Sequence, residues 1–165
     1  MRKAIFDLDQ TLVDTRVLSE ARRSGNWPLT YSLIPQCDLY EGIERVFENI
    51  RRHGLCCSIV SSAPRSYVER VVSFFDIPIT KIIGYHDAFP GKPNPAPMLK
   101  ALELMGCPAH EAISFGDRAI DIMASNAAGI ESVACFWGTE EKPRLLRSGY
   151  SHAIVRPEEI LTLIR

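Results

Sequence analysis

The chain has 165 residues and a formal net charge of -1, with 46% apolar and 24% charged residues, proportions of a globular protein rather than a disordered or fibrous one. That length suits one domain with a real core and leaves no room for a second of ordinary size. The near-neutral charge gives no electrostatic support to a nucleic-acid or membrane partner.

Only Ala4, Ile5 and Phe6 separate the basic start from Asp7, too little for a secretory apolar segment, and no apolar run approaches the length of a membrane span. The five cysteines, Cys37, Cys56, Cys57, Cys107 and Cys135, are odd in number and lack CxxC or zinc-type spacing. Idle thiols in a reducing compartment follow, and the expectation is a soluble, cytoplasmic protein.

In chain order, strands alternate with helices, the pattern of an α/β fold on a mainly parallel sheet. A first strand runs from Lys3 to Asp7. After it, residues 15–40 reach no second core strand and read as an insertion, with a helix ending near Ser24 and a short helical turn around 29–34. Ile43, Val46, Phe47 and Ile50 repeat at the helical period over 41–53, and Gly54 follows as a stop. The stretch "CCSIV" reads as a buried strand, 65–75 as a helix, "KIIG" as a short strand and 96–105 as a helix closed by Gly106. "EAISF" gives another strand, 119–128 another helix before Gly129, and "ESVACFW" the last long strand. The tail holds a helix near 140–147, a short "HAIV", and "RPEEILTLI" with Pro157 at a first helical position. The expected architecture is a three-layer, Rossmann-like, doubly wound sheet, with residues 1–14 and 41–165 as core and 15–40 as a small helical cap.

Polar residues gather where these strands end. Asp7 and Asp9 follow the first strand, Ser61 and Ser62 the second, Lys92 lies in "FPGKPNPAP", and Asp117 and Asp121 follow "EAISF". Ligand sites in open α/β sheets lie beyond the carboxyl ends of the strands, so the four clusters share one edge and the insertion covers it. Two aspartates at i and i+2 point to one side of an extended chain, and two more at i and i+4 share a helix face. Four carboxylates on one spot need a cation, and an oxygen-only ligand set selects a hard ion, Mg2+ before zinc. Beside one lysine and one serine hydroxyl, such an ion makes a phosphoryl site. There a carboxylate can attack phosphorus to form an aspartyl phosphate, and a second can protonate the leaving oxygen and then activate water.

The motifs "DLDQT", Ser61, Lys92 and "GDRAID" resemble, in order and spacing, those of the haloacid dehalogenase (HAD) superfamily, over nearly the whole chain. "DLDQTLVDT", "GKPNPAP", "SNAAGI" and "FWG" resemble its phosphoglycolate phosphatase-like branch. The resemblance implies a phosphoric monoester hydrolase with Asp7 as nucleophile and Asp9 as general acid/base. It further implies that Thr11, Ser61, Ser62 and Lys92 bind the phosphoryl group. Asp7, the Asp9 backbone carbonyl and Asp117 would hold Mg2+, with Asp121 orienting the ion's waters or Lys92.

Two features depart from the family pattern. Gln10 stands where these phosphatases usually carry Gly, and an insertion of roughly twenty-five residues is short for a cap of this branch. A small phosphorylated substrate is expected, while a short cap leaves open a protein or nucleic-acid substrate, or a lid completed by a second subunit of a homo-oligomer. Gln10, Arg22, Arg23 and Trp27 are the candidate specificity residues, able to meet an anionic or planar group; His86 and Asp87 lie near the Lys92 loop.

Each signal has a bland counterpart. Asp117 suits a helix cap, Lys92 a solvated loop, Ser61 and Ser62 a strand-end cap, the arginine pair an exposed helix end and Trp27 simple packing. Joint placement on one edge, rather than any single motif, carries the reading. "GYHDAFPGK" is not a P-loop, because six residues separate Gly84 from Gly91 and Pro93 follows the lysine. Within the superfamily, Asp9 disfavours a dehalogenase, the absence of lysine from the insertion disfavours a phosphonatase, and the short cap disfavours a phosphomutase that must exclude water. A non-catalytic binding protein on the same fold is the alternative of a different class.

Overall fold

The computed structural model describes residues 1–165. Six parallel strands form the main sheet: β1 (Lys3–Phe6), β4 (Cys57–Val60), β5 (Lys81–Ile83), β6 (Ala112–Gly116), β7 (Glu131–Cys135) and β8 (His152–Ile154). Their order is β5-β4-β1-β6-β7-β8, so the chain winds outward from β1 in one direction and then in the other. The crevice beside β1 is therefore the topological switch point.

Both faces of the sheet are covered, which explains the continuous apolar character of "CCSIV" and "EAISF". Ala4, Phe6 and Ile59 face one way, against Ile43, Val46, Phe47 and Ile50 of α3 (Ile43–His53) and Tyr67, Val68 and Val71 of α4 (Arg65–Phe74). Ile5, Val60 and Ile83 face the other way, against Met98, Ala101 and Leu102 of α5 (Ala96–Met105) and Ala124 of α6 (Ala119–Ala127). The alternation along β1 thus sorts its residues between two cores. Truncating a side chain as buried as Phe47 costs about 3–5 kcal/mol.

Gly54 ends α3 with φ +57°, and the Leu55 N–H reaches back to the Ile50 carbonyl at 3.1 Å. Only a left-handed residue closes a helix this way, and glycine does so without steric cost. The tail folds as α7 (Lys142–Leu146), β8, a 3-10 turn (Pro157–Glu159) and α8 (Ile160–Leu163). The 3-10 turn takes over the start of the helix expected there, with Pro157 in its first turn. No helix is long and apolar enough to cross a membrane.

The insertion holds α1 (Ser19–Arg23) and α2 (Trp27–Leu33), followed by a 3-10 turn over Ile34–Gln36. α2 begins two residues earlier than the sequence reading placed it, because the Asn26 side chain accepts the Leu29 N–H at 3.2 Å and caps the helix. Two short strands pair antiparallel at the base of the insertion, β2 (Val13–Asp14) just before it and β3 (Asp38–Leu39) near its end, with Val13 opposite Leu39 and Asp14 opposite Asp38. This ladder was not foreseen. Two-residue strands carry no periodicity, and their partners are far apart in sequence.

Candidate active site

The pairing of β1 with β6 continues one residue past β1, where the Asp7 N–H donates to the Phe115 carbonyl at 2.9 Å. Likewise the Ser61 N–H donates to the Ile83 carbonyl at 2.9 Å, just past β4. Both residues are thereby held at the carboxyl edge of the sheet. Asp117 follows β6 directly, and Asp121 lies in the first turn of α6, where its Oδ2 accepts the Arg118 N–H at 3.0 Å. The sequence reading put Asp117 and Asp121 on one helical face. Asp117 instead precedes the helix, and the bend of the chain brings the two carboxylates together.

Carboxylate oxygens of Asp7, Asp117 and Asp121 all lie within 4.8 Å of one another, and all three residues are buried or nearly so. Lys92 reaches into the cluster with its side chain only 2% exposed. Its Nζ donates to Asp7 Oδ1 at 3.1 Å, Asp121 Oδ1 at 2.5 Å and the Val60 carbonyl at 2.9 Å, using all three ammonium donors. Burial pushes the Asp7 carboxyl up to about 6, with Lys92 opposing and the Asp121 and Asp9 charges adding. Burial, followed by Asp7 and Asp121, also pushes Asp117 well above the usual carboxylate range. Burial alone would lower the Lys92 ammonium, but Asp121 and Asp7 raise it instead, so it stays charged.

Three carboxylates against one ammonium leave a surplus of negative charge, which this environment disfavours. The arrangement fits a hard divalent cation: every donor in the cluster is oxygen, and both raised carboxyls would be lowered by the ion's charge.

Around the cluster opens a cavity of about 590 Å³, walled almost entirely by polar residues, among them Asp9, Gln10, Arg22, Ser61, Ser62 and Lys92. Ser61 Oγ accepts the Ala63 N–H at 3.0 Å, while Ser62 is exposed on the wall. Thr11 differs from the expectation. Its buried hydroxyl donates to Asp117 Oδ1 at 3.0 Å, so it supports the carboxylate cluster and does not line the cavity.

The sequence profile of haloacid dehalogenase-like hydrolases matches residues 30–135. The chain belongs to the haloacid dehalogenase-like hydrolase family. It is 34% identical over 109 residues to the pyrophosphatase PpaX of Bacillus cereus, covering 61% of this chain and 49% of that protein. It is 30% identical over 105 residues to a phosphoglycolate phosphatase of Xanthomonas campestris, covering 62% and 48% respectively. The chain thus spans about half the length of the curated relatives it matches. A haloacid dehalogenase-like hydrolase structure from Streptococcus pneumoniae superimposes with a TM-score of 0.82 at 18% identity, covering 100% of this chain and 99% of that one. At that identity it supports the fold.

In this haloacid dehalogenase-like chain Asp9 stands apart from the carboxylate cluster. Its Oδ1 accepts hydrogen bonds from Thr15 Oγ1 and Tyr67 Oη, both at 2.6 Å, and pairs with Arg22 Nη1 at 3.1 Å. The i, i+2 rule does not apply, because the strand ends at Phe6 and the chain turns. Tyr67 was missed by sequence reading. It occupies a core position of α4, and nothing in the helical period distinguishes a tyrosine that packs from one whose hydroxyl also reaches across to Asp9.

Burial and the neighbouring Asp9 charge push the Tyr67 hydroxyl up, which keeps it a donor. Arg22 also lies over the Tyr67 ring at 4.6 Å. Arg23 is exposed and does not reach the main cavity; with Trp27 it borders a shallower groove beside α1. Trp27 packs between Tyr31 and Tyr67, with ring centroids 6.0 and 6.1 Å away. Asp87 accepts from Arg65 Nη1 at 2.9 Å and from the Gly84 N–H at 2.7 Å, which ties the loop to α4 rather than placing it on the cavity wall. His86 stacks edge-on against Tyr85.

Proposed function

We propose that the chain is a Mg2+-dependent phosphatase that hydrolyses a phosphomonoester through an aspartyl phosphate on Asp7. The single observation carrying this is the Lys92 ammonium buried against Asp7 and Asp121, with Asp117 in the same cluster, at the floor of a polar cavity. In this reading Asp7, Asp117 and the Asp9 backbone carbonyl hold Mg2+, and Asp121 steadies Lys92. When bound, the ion supplies positive charge that offsets the phosphoryl oxygens and the carboxylates around them.

The Asp7 carboxylate attacks phosphorus, and the bond from phosphorus to the ester oxygen breaks. Asp9 gives its proton to that leaving oxygen through Oδ2, which accepts no hydrogen bond from the chain. Asp9 then takes a proton from water as the water oxygen attacks the phosphoenzyme, releasing phosphate and restoring Asp7. The Lys92 ammonium, its three donors held by Asp7, Asp121 and the Val60 carbonyl, attracts the phosphoryl oxygens by its charge, and the hydroxyls of Ser61 and Ser62 donate to them. Residues 15–40 act as a short cap on a core made of 1–14 and 41–165, and Arg22, projecting from that cap into the cavity, meets the rest of a small phosphorylated substrate.

The test is phosphate release from a panel of phosphomonoesters and pyrophosphate, with Mg2+ and with a chelator, comparing the parent with Asp7→Asn. Turnover should require the metal and fall by about a thousandfold or more in the variant, the scale of losing a nucleophile. Turnover that Asp7→Asn retains would remove the aspartyl phosphate from the scheme, and a parent inactive on every member would remove the phosphatase assignment.

A further inference from the structure

Gln10 has a left-handed backbone, φ +62°, a conformation that favours glycine. Its side chain is nonetheless buried, with the residue 8% exposed. The carboxamide Oε1 accepts the Thr15 backbone N–H at 3.3 Å and the Tyr40 hydroxyl at 3.1 Å, and Nε2 faces Thr15 Oγ1 at 3.5 Å. The orientation of the amide is decided by chemistry. A backbone N–H can only donate, so the atom it meets must be the oxygen, and the nitrogen is left to face the threonine hydroxyl. That hydroxyl, accepting from Nε2, directs its single proton to Asp9 Oδ1 at 2.6 Å.

Thr15 and Tyr40 are the first and last residues of the insertion, just outside the β2–β3 ladder. One carboxamide therefore touches both legs of the cap and, through Thr15, the acid/base carboxylate. The far wall is tight: a Cβ at Gly138 would lie 2.4 Å from both the Gln10 carbonyl and the Tyr40 hydroxyl.

We propose that Gln10 is a positioning residue whose carboxamide ties both legs of the 15–40 insertion to the nucleophile loop and keeps the Thr15 hydroxyl proton on Asp9. The part concerning Asp9 rests on the phosphatase reading; the tether does not.

Two variants test it. Gln10→Gly suits the left-handed backbone and removes the side chain; Gln10→Met keeps the bulk without the polar atoms. At saturating Mg2+, kcat should fall about tenfold in both, a fraction of what general acid/base catalysis supplies, while KM stays within about twofold. Amide hydrogen exchange across 15–40 should accelerate about tenfold or more, with the main sheet unchanged. A kcat within about twofold of the parent overturns the positioning role, and unchanged exchange overturns the tether. If Gln10→Met does not fold, Gln10→Gly decides both points. If the parent itself shows no turnover, the phosphatase reading fails separately, and exchange alone upholds or overturns the tether.

Discussion

Ser58, in the middle of β4, has a fully buried hydroxyl with no hydrogen-bond partner. Leaving such a group unmade costs about 1–3 kcal/mol, and alanine fits the same space without that cost. Ser58→Ala should therefore raise stability, by about 1 kcal/mol, read as a higher urea midpoint at unchanged slope; a lower midpoint would mean the hydroxyl has a partner. At this scale much of the site was legible in the sequence. Asp7, Asp117, Asp121 and Lys92 stand out together because all follow strands of one parallel sheet and so gather at its carboxyl edge, where open sheets bind ligands. Tyr67 and the carboxamide of Gln10 do not, since a residue type tells nothing of which distant atom its polar end will meet.

The β6–α6 junction shows how closely two elements must approach to build the carboxylate cluster. A Cβ at Gly116 would lie 2.4 Å from the Asp121 Cβ and 2.7 Å from its carboxylate, and the Asp121 Cβ is fixed to the helix backbone. Gly116→Ala should cost about 1–3 kcal/mol and push Asp121 away from Lys92. Chemical denaturation and a Mg2+ titration by calorimetry would read both effects, and an unchanged denaturation midpoint would show that the helix yields freely. Helices were legible as elements: the apolar period of α3 and its closing Gly54 need only local geometry. The β2–β3 pair and the place of Asp117 outside α6 were not, because a two-residue ladder and a bend are decided by what packs around them.

For the molecule as a whole, the raised carboxyls set a pH dependence opposite to ordinary acid denaturation. Asp7 titrates near 3.8 unfolded and about 6 folded, so between those values the folded state binds more protons and stability falls as pH rises. Asp117 acts in the same direction. Asp14, Asp87 and Glu131 are held below their ordinary range by Arg16, by the Gly84 N–H with Arg65, and by Arg2 respectively. Their stabilisation is lost only as pH falls below about 4. In chelator, Tm should therefore be higher at pH 5 than at pH 7. Mg2+ at a hundredfold excess over its Kd should restore about 5–10 °C at pH 7 and less at pH 5, where protons compete for the same oxygens. A Mg2+ shift equal at both values would mean that the ion does not bind these carboxyls.

Local pattern along the chain already implies the α/β class, the run of parallel strands and the four polar clusters at the strand ends. Each of these follows from local periodicity, from the chemistry of glycine and proline, or from the rule that open sheets bind at their carboxyl edge. Tertiary structure alone decided that Asp9 leaves the carboxylate cluster for Thr15, Tyr67 and Arg22, that Thr11 serves Asp117, and that Gln10 closes the neck of the insertion. Those contacts join residues far apart along the chain. Their partners are selected by the geometry of the packed elements, which no local spacing encodes.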